Sequence, residues 1–234
     1  MDAVREQQVS AYDYLRQGLI VGRWKSGEHL VPARIKQQLS CSGSVLRDAM
    51  LQLAGEGLII LEKNHGFRAV VHTKEAFRDA AHLRLTLERE AVKLALTRGD
   101  FDWELDLSAA FQKLAHVEKQ MCAKADVTHY VERWATLDWE FHETLMRGAG
   151  SDIMTRVYRL AFDTFRMYSI QAFPDFGFRW EETASEHKAI YEAAVSRNQH
   201  TCAAAVKKHI AVYYSEIETA TPTDVATTQS TSSL

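Results

Sequence analysis

Residues 42–71 read SGSVLRDAMLQLAGEGLIILEKNHGFRAVV, and their hydrophobic period changes partway along. Leu46, Ala49, Met50 and Leu53 recur at i, i+3, i+4 and i+7, the spacing of one helical face. Ser42 suits the N-cap of that helix, because its hydroxyl accepts a first-turn N–H. Gly55 and Gly57 end the helix near Ala54 and leave Ser44 and Arg47 on a second face. The pattern then shortens. Leu58 to Leu61, a turn at Lys63-Asn64-His65-Gly66, and Phe67 to Val71 read as a β-hairpin.

Upstream, Val9, Tyr12, Leu15, Leu19 and Ile20 approximate a stripe on a helix from about Arg5 to Val21, which Gly22 ends. Ser26-Gly27 turns the chain into a short strand at His29 to Val31. Pro32 opens a second helix reaching about Leu39, since its missing N–H has no helical partner in a first turn. Three helices followed by a two-stranded wing is the order of a winged helix-turn-helix. From Thr73 onward the patterns are long and helical, with about six helices at roughly 74–98, 102–124, 127–147, 152–172, 178–197 and 199–219. Gly99, Gly148-Ala149-Gly150, Pro174 to Gly177 and Asn198 mark most breaks. The expected fold is mainly α: a winged helix-turn-helix over 1–72, an all-α antiparallel bundle over 73–219, and a Thr/Ser-rich disordered tail over 220–234.

Charge divides along the same line. Residues 1–72 hold nine Lys/Arg and seven Asp/Glu, net +2, whereas the remainder holds 19 and 24, net −5, which together give the overall −3. A basic end on an acidic body fits a division of labour. With 46% hydrophobic and 25% charged residues among 234, the chain has the composition of a globular protein. No apolar run approaches the roughly 20 residues of a membrane span, and Met1 to Ser10 lacks the apolar core of a secretory signal. The expected location is the cytoplasm. Cys41, Cys122 and Cys202 are too few and too far apart for a disulfide framework or a Cys-x-x-Cys half-site, so reduced and mostly buried thiols are expected.

The bundle carries one chemical constellation. Asp138 and His142 share a helical face at i, i+4. If the last two helices are antiparallel around Asn198, His187 and His209 stand 11 residues either side of the turn, at the same height. Three imidazoles and a carboxylate suit a borderline divalent metal such as Zn, Ni or Mn. Spacing alone leaves the other reading open, in which these are core histidines with satisfied hydrogen bonds.

The N-terminal residues resemble the DNA-binding domain of the GntR family of bacterial regulators. The matching residues are Leu15-Arg16, Ile20, Gly22, Gly27-Glu28, Leu30, the run Cys41 to Met50, Leu53, Gly57-Leu58, and Asn64 with Gly66-Phe67. Gly43 replaces an arginine that the family uses on DNA, and Leu51 stands where a basic residue is common, so fewer phosphate contacts are expected. The candidate DNA-binding residues are Arg34 and Lys36 on helix two, Ser42, Ser44 and Arg47 on helix three, and Lys63, His65 and Arg68 in the wing. Phosphate contacts would orient the domain, while Ser44 and Arg47 would read base edges.

Residues 75–215 resemble the FCD ligand-sensing domain of the FadR branch of that family, through Arg84-x-x-Leu87-Glu88, Asp138, Phe141-His142, Glu186-His187 and His209-Ile210. Ser151-Asp152 replaces the family's usual Asn-Pro, but either pair can start a helix. The resemblance implies metal ligation by Asp138, His142, His187 and His209, and contact between Arg84 and a small carboxylate effector. A surface ion pair with Glu88 is the alternative for Arg84. It further implies a homodimer on double-stranded operator DNA. Two other classes remain: a metal-dependent hydrolase, for which no His-Glu-x-x-His or Gly-x-Ser-x-Gly motif is present, and an interaction module that no longer binds DNA.

Overall fold

In the computed structural model, which describes residues 10–124, 126–176 and 179–219, the first helix, α1, spans Ala11–Ile20. Ser10 sets its start: the backbone there is extended and the hydroxyl accepts the Asp13 N–H at 3.0 Å. The helix expected from Arg5 thus begins later, because the cap rather than the apolar stripe decides its end. Arg5 to Val9 lie outside the described residues, as does the 220–234 tail. At the other end Gly22 takes φ 76°, a left-handed conformation that glycine adopts without strain.

Strand β1 (His29–Leu30), α2 (Pro32–Gln38), α3 (Gly43–Gly55), β2 (Ile59–Glu62) and β3 (Gly66–Ala69) follow. Ser42 caps α3 as expected, accepting the Val45 N–H at 3.2 Å. The wing gains a third strand. β1 pairs antiparallel with β3, placing His29 opposite Arg68 and Leu30 opposite Phe67, so the order is β1-β3-β2. Asn64 (φ 66°) and Gly66 (φ 80°) make the tight turn at the wing tip. Beneath lie buried Leu15, Leu19, Leu46, Met50, Leu53, Leu58 and Phe67, with α1 packed on α3.

The remaining helices are α4 (Lys74–Arg98), α5 (Phe101–Cys122), α6 (Thr128–Arg147), α7 (Asp152–Phe176), α8 (Trp180–Val195) and α9 (Gln199–Thr219). Thr73 caps α4, Asp100 caps α5, and Ser151 accepts the Met154 N–H at the start of α7. One expected break is absent: α7 continues through Pro174 to Phe176, because Phe162, Phe165 and Ile170 upstream bury its inner face and carry the helix past the proline. Gly177 lies outside the described residues. α4 packs on α7 and α9, α5 on α6 and α8, and α8 on α9. Among the described residues no helix is long and apolar enough to cross a membrane.

Gly148, at the C-terminus of α6, lies under the Trp103 indole, whose Nε1–H donates to the Thr144 carbonyl at 2.8 Å. A Cβ on Gly148 would stand 2.7 Å from Trp103 Cε2 and 2.8 Å from Ala95 Cβ, and neither can retreat from a packed core. Gly148→Ala is therefore expected to destabilise the protein by about 1–3 kcal/mol through overpacking. A fall in denaturant midpoint at unchanged slope checks this; an unchanged midpoint would show that Trp103 has room to move.

Candidate metal centre and nucleic-acid interface

Three helices converge on one buried point. α6 supplies Asp138 and His142 from a single face, α8 supplies His187, and α9 supplies His209. The equal-height expectation holds: Arg197 (φ 55°) and the Asn198 cap turn α8 back into α9, and the His187 and His209 rings lie 4.6 Å apart, centroid to centroid. All four residues are 0% exposed, and one possible ligand atom from each lies within 4.8 Å of the others.

Each imidazole is backed by a buried carboxylate. His142 Nδ1 is 2.7 Å from Glu88 Oε1, His187 Nδ1 is 2.6 Å from Glu118 Oε1, and His209 Nδ1 is 3.1 Å from Glu186 Oε2. A carboxylate on each Nδ1 makes that nitrogen the donor and fixes the orientation of the ring, with Arg84 Nη2 standing 3.2 Å from His142 Nε2. The carboxylates are themselves held: Trp134 Nε1–H donates to Glu118 at 3.2 Å, while the Tyr158 hydroxyl (2.8 Å) and Arg84 Nε (3.2 Å) donate to Glu88. The Arg166 guanidinium donates to Asp138 Oδ2.

Two buried atoms at the centre, Asp138 Oδ1 and His187 Nε2, have no hydrogen-bond partner among the described residues. They lie 3.1 Å apart without the alignment of a hydrogen bond. With His187 protonated the two atoms form a buried ion pair, and a divalent cation would take that proton's place and meet both. Donor number, chemical type and closure therefore fit a metal. The protonation pattern suits ligation at three of the four residues. Burial would raise the Asp138 carboxyl, yet Arg166 and the surrounding imidazoles hold it well below its usual value, keeping it anionic. Burial pushes His142 and His209 down, toward the neutral ligating form. At His187 burial is outweighed by Glu118 and Asp138, and its value rises to about 9, so a metal there would replace a proton.

Arg84 makes the ion pair with Glu88 that is the alternative to an effector role. The pair is fully buried rather than on the surface, and the same Arg84 Nη2 stands at the edge of the cluster. Its guanidinium stacks over Phe162 and Phe165 at 4.6 and 4.9 Å, and Nη1 has no hydrogen-bond partner among the described residues. Glu118, Arg166 and Tyr158 escape a sequence reading that looks for ligands alone.

At the other end of the molecule, Arg34 and Lys36 on α2, Ser42, Ser44 and Arg47 at the start of α3, and Lys63 and His65 at the wing tip are all exposed. Arg68 differs. It is half-buried and braced by Glu62 (3.0 Å), the Gly27 carbonyl (2.6 Å) and His29 (2.6 Å), so it shapes the base of the wing. Ser42 and Ser44 share a hydroxyl contact of 2.9 Å, and the position of a Cβ on Gly43 is open space.

Comparison with known proteins agrees with this layout. Residues 7–68 match the family model described as bacterial regulatory proteins, gntR family, and residues 79–212 match that of the FCD domain. Over 208 residues the chain is 24% identical to the uncharacterized HTH-type transcriptional regulator BphR of Paraburkholderia xenovorans, covering 88% of this chain and 83% of the relative. It is 22% identical over 213 residues to the HTH-type transcriptional repressor GlaR of Escherichia coli, covering 86% and 91%. Among solved structures, E. coli McbR/YncC superposes with a TM-score of 0.74 at 16% identity, over 93% of this chain and all of that one (100%). A putative transcriptional regulator GntR from a Rhodococcus species gives 0.71 at 21% identity, over 90% and 97%. At those identities the two structures speak for the fold.

Proposed function

The chain belongs to the gntR family of bacterial regulatory proteins and carries an FCD effector-binding domain, and on that premise we propose that it is a dimeric operator-binding regulator whose sensor holds a divalent metal beside a small carboxylate effector. It is a transcriptional regulator and not an enzyme. In this reading residues 1–72 read DNA and residues 73–219 sense, and the protein works beside the chromosome in the cytoplasm. The observation that carries the proposal is the closed set of three carboxylate-backed imidazoles and one aspartate, buried in a bundle that directly follows a winged helix-turn-helix.

Asp138, His142, His187 and His209 would hold the metal, with Zn, Ni or Mn suited to the nitrogen-rich set. When bound, it would supply a buried positive centre that attracts an anionic ligand. Glu88, Glu118 and Glu186 fix the ring orientations that such binding needs. Arg84, with a guanidinium nitrogen to spare, would take the effector carboxylate. The effector must bind the DNA-competent and incompetent states unequally, or it shifts nothing. Screening small organic acids by thermal shift on zinc-loaded protein checks the assignment. The acid that stabilises wild type is expected to lose its effect in Arg84→Ala while zinc still binds; an undiminished shift would remove Arg84 from the effector site.

On DNA, two readers one helical turn apart, about 34–36 Å, would meet the half-sites of a pseudo-palindrome. Arg47 is exposed and lies off the buried stripe of α3, so Arg47→Ala is expected to leave the fold intact and weaken binding to a genomic fragment retained by wild type. The loss of a bidentate base contact costs about 1–3 kcal/mol, read by electrophoretic shift. Gly43→Arg enters open space and is expected to do the reverse, steepening the salt dependence by about one counterion. If neither wild type nor Gly43→Arg retains any duplex at low salt, the interaction-module reading replaces this one.

A further inference from the structure

Three polar contacts, joined by short stretches of α7 and α1, lie between the sensing centre and the recognition helix. Arg166 of α7 holds Asp138. Three residues earlier on the same helix, Asp163 takes both of its oxygens to one nitrogen of Arg16, on α1. Both partners are buried, with side chains 7% and 3% exposed. One turn back along α1, the Tyr12 hydroxyl donates to Glu56 at 2.8 Å, and Glu56 is the C-cap of α3. From metal ligand to recognition helix, the links are thus Asp138, Arg166, Asp163, Arg16, Tyr12 and Glu56.

We infer that the Arg16–Asp163 ion pair is the joint through which the sensing centre governs the placement of the DNA-reading domain. This rests on the metal reading proposed above. Breaking a buried ion pair strands both charges, unlike sliding an apolar contact, so Arg16 is held to Asp163 when α7 shifts. The surroundings support the role. Arg159 lies 3.8 Å from Asp163 and stacks at 4.2 Å over Trp139, the neighbour of Asp138 in sequence. The Tyr168 hydroxyl of the same helix donates to the Thr73 carbonyl, where the chain leaves the wing for α4. α7 therefore touches the metal ligand, the first helix of the reader and the connection between the two halves. Beside the joint lies a cleft of about 660 Å³ lined by Tyr12, Glu56, Leu58, Trp139 and Arg159.

The claim concerns coupling, so spatial continuity alone does not establish it. Amide hydrogen exchange on the full chain, first treated with chelator and then measured with and without Zn²⁺, tests it. In wild type, Zn²⁺ at a hundred times its Kd should slow exchange in α6, α8 and α9 by about 100-fold, and slow the amides from Leu15 to Ile20 by about tenfold or more. In Asp163→Asn the bundle response should persist while the Leu15–Ile20 response falls to within about twofold of none. The double variant Arg16→Ala, Asp163→Ala leaves only the part-exposed Arg159 without its partner and should behave alike, which separates lost coupling from misfolding. A Leu15–Ile20 response that is absent in wild type, or that survives both variants, overturns the joint while leaving the metal site standing. If Zn²⁺ slows nothing in the wild-type bundle, the metal reading itself fails, and the joint as its relay fails with it.

Discussion

Chelator added to the metal-loaded protein is expected to lower its melting temperature by roughly 5–15 °C. The estimate follows from mass action: a ligand that binds only the folded chain adds about 2.7 kcal/mol at a hundred times its Kd and about 4.1 at a thousand times, and each kcal/mol moves a chain of this size by about 2–4 °C. The site can exert that leverage because its four ligand residues come from three helices, α6, α8 and α9, that unfolding would separate. His187→Ala is expected to melt at the same temperature with and without chelator. If wild type ignores chelator as well, the cluster is a set of satisfied core histidines.

The second large effect concerns Asp138, which answers to a charge as well as to a metal. Asp138→Ala removes the anion on Arg166, whose side chain is 1% exposed, and strands a guanidinium that already has two nitrogens without hydrogen-bond partners among the described residues. Removing one partner of a buried ion pair typically costs about 3–5 kcal/mol. That loss should appear even in chelator, on top of the lost metal stabilisation. Asp138→Asn keeps an acceptor for Arg166 and should cost less while still weakening metal binding. Equal stabilities for wild type and Asp138→Ala in chelator would mean that Arg166 finds another partner.

Most of the architecture is legible in the sequence because the periods are unambiguous: α4 and α9 begin and end where the stripes do, and Ser42 announces α3. The two misplacements have opposite causes. At Ser10 a local cap outranks an apolar stripe, whereas at Pro174 tertiary packing outranks a local breaker. The third strand of the wing is a non-local pairing between His29–Leu30 and β3, which no local period encodes.

The four candidate ligands are legible because the i, i+4 pair and the equal distances from Asn198 are geometric, and the structure does bring them together. Their supporting residues come from elements distant in sequence, so spacing does not reveal them. A signal exists nonetheless. Glu118 follows Leu107, Phe111 and Leu114 on the buried stripe of α5, and Arg166 sits between Phe162 and Ile170 at steps of four on that of α7. A charge on a core stripe needs a partner, and here the partners are His187 and Asp138.

The account stands or falls on what the buried cluster holds, and X-ray absorption at the zinc edge of stoichiometrically loaded protein asks this most directly. The expected spectrum has one zinc per chain in a shell of nitrogen and oxygen at about 2.0–2.1 Å, with no sulfur near 2.3 Å, and the shell loses nitrogen in His209→Ala. Zinc that fails to bind at one equivalent, or that binds through Cys41, Cys122 or Cys202 sulfur with the His209→Ala spectrum unchanged, would contradict it.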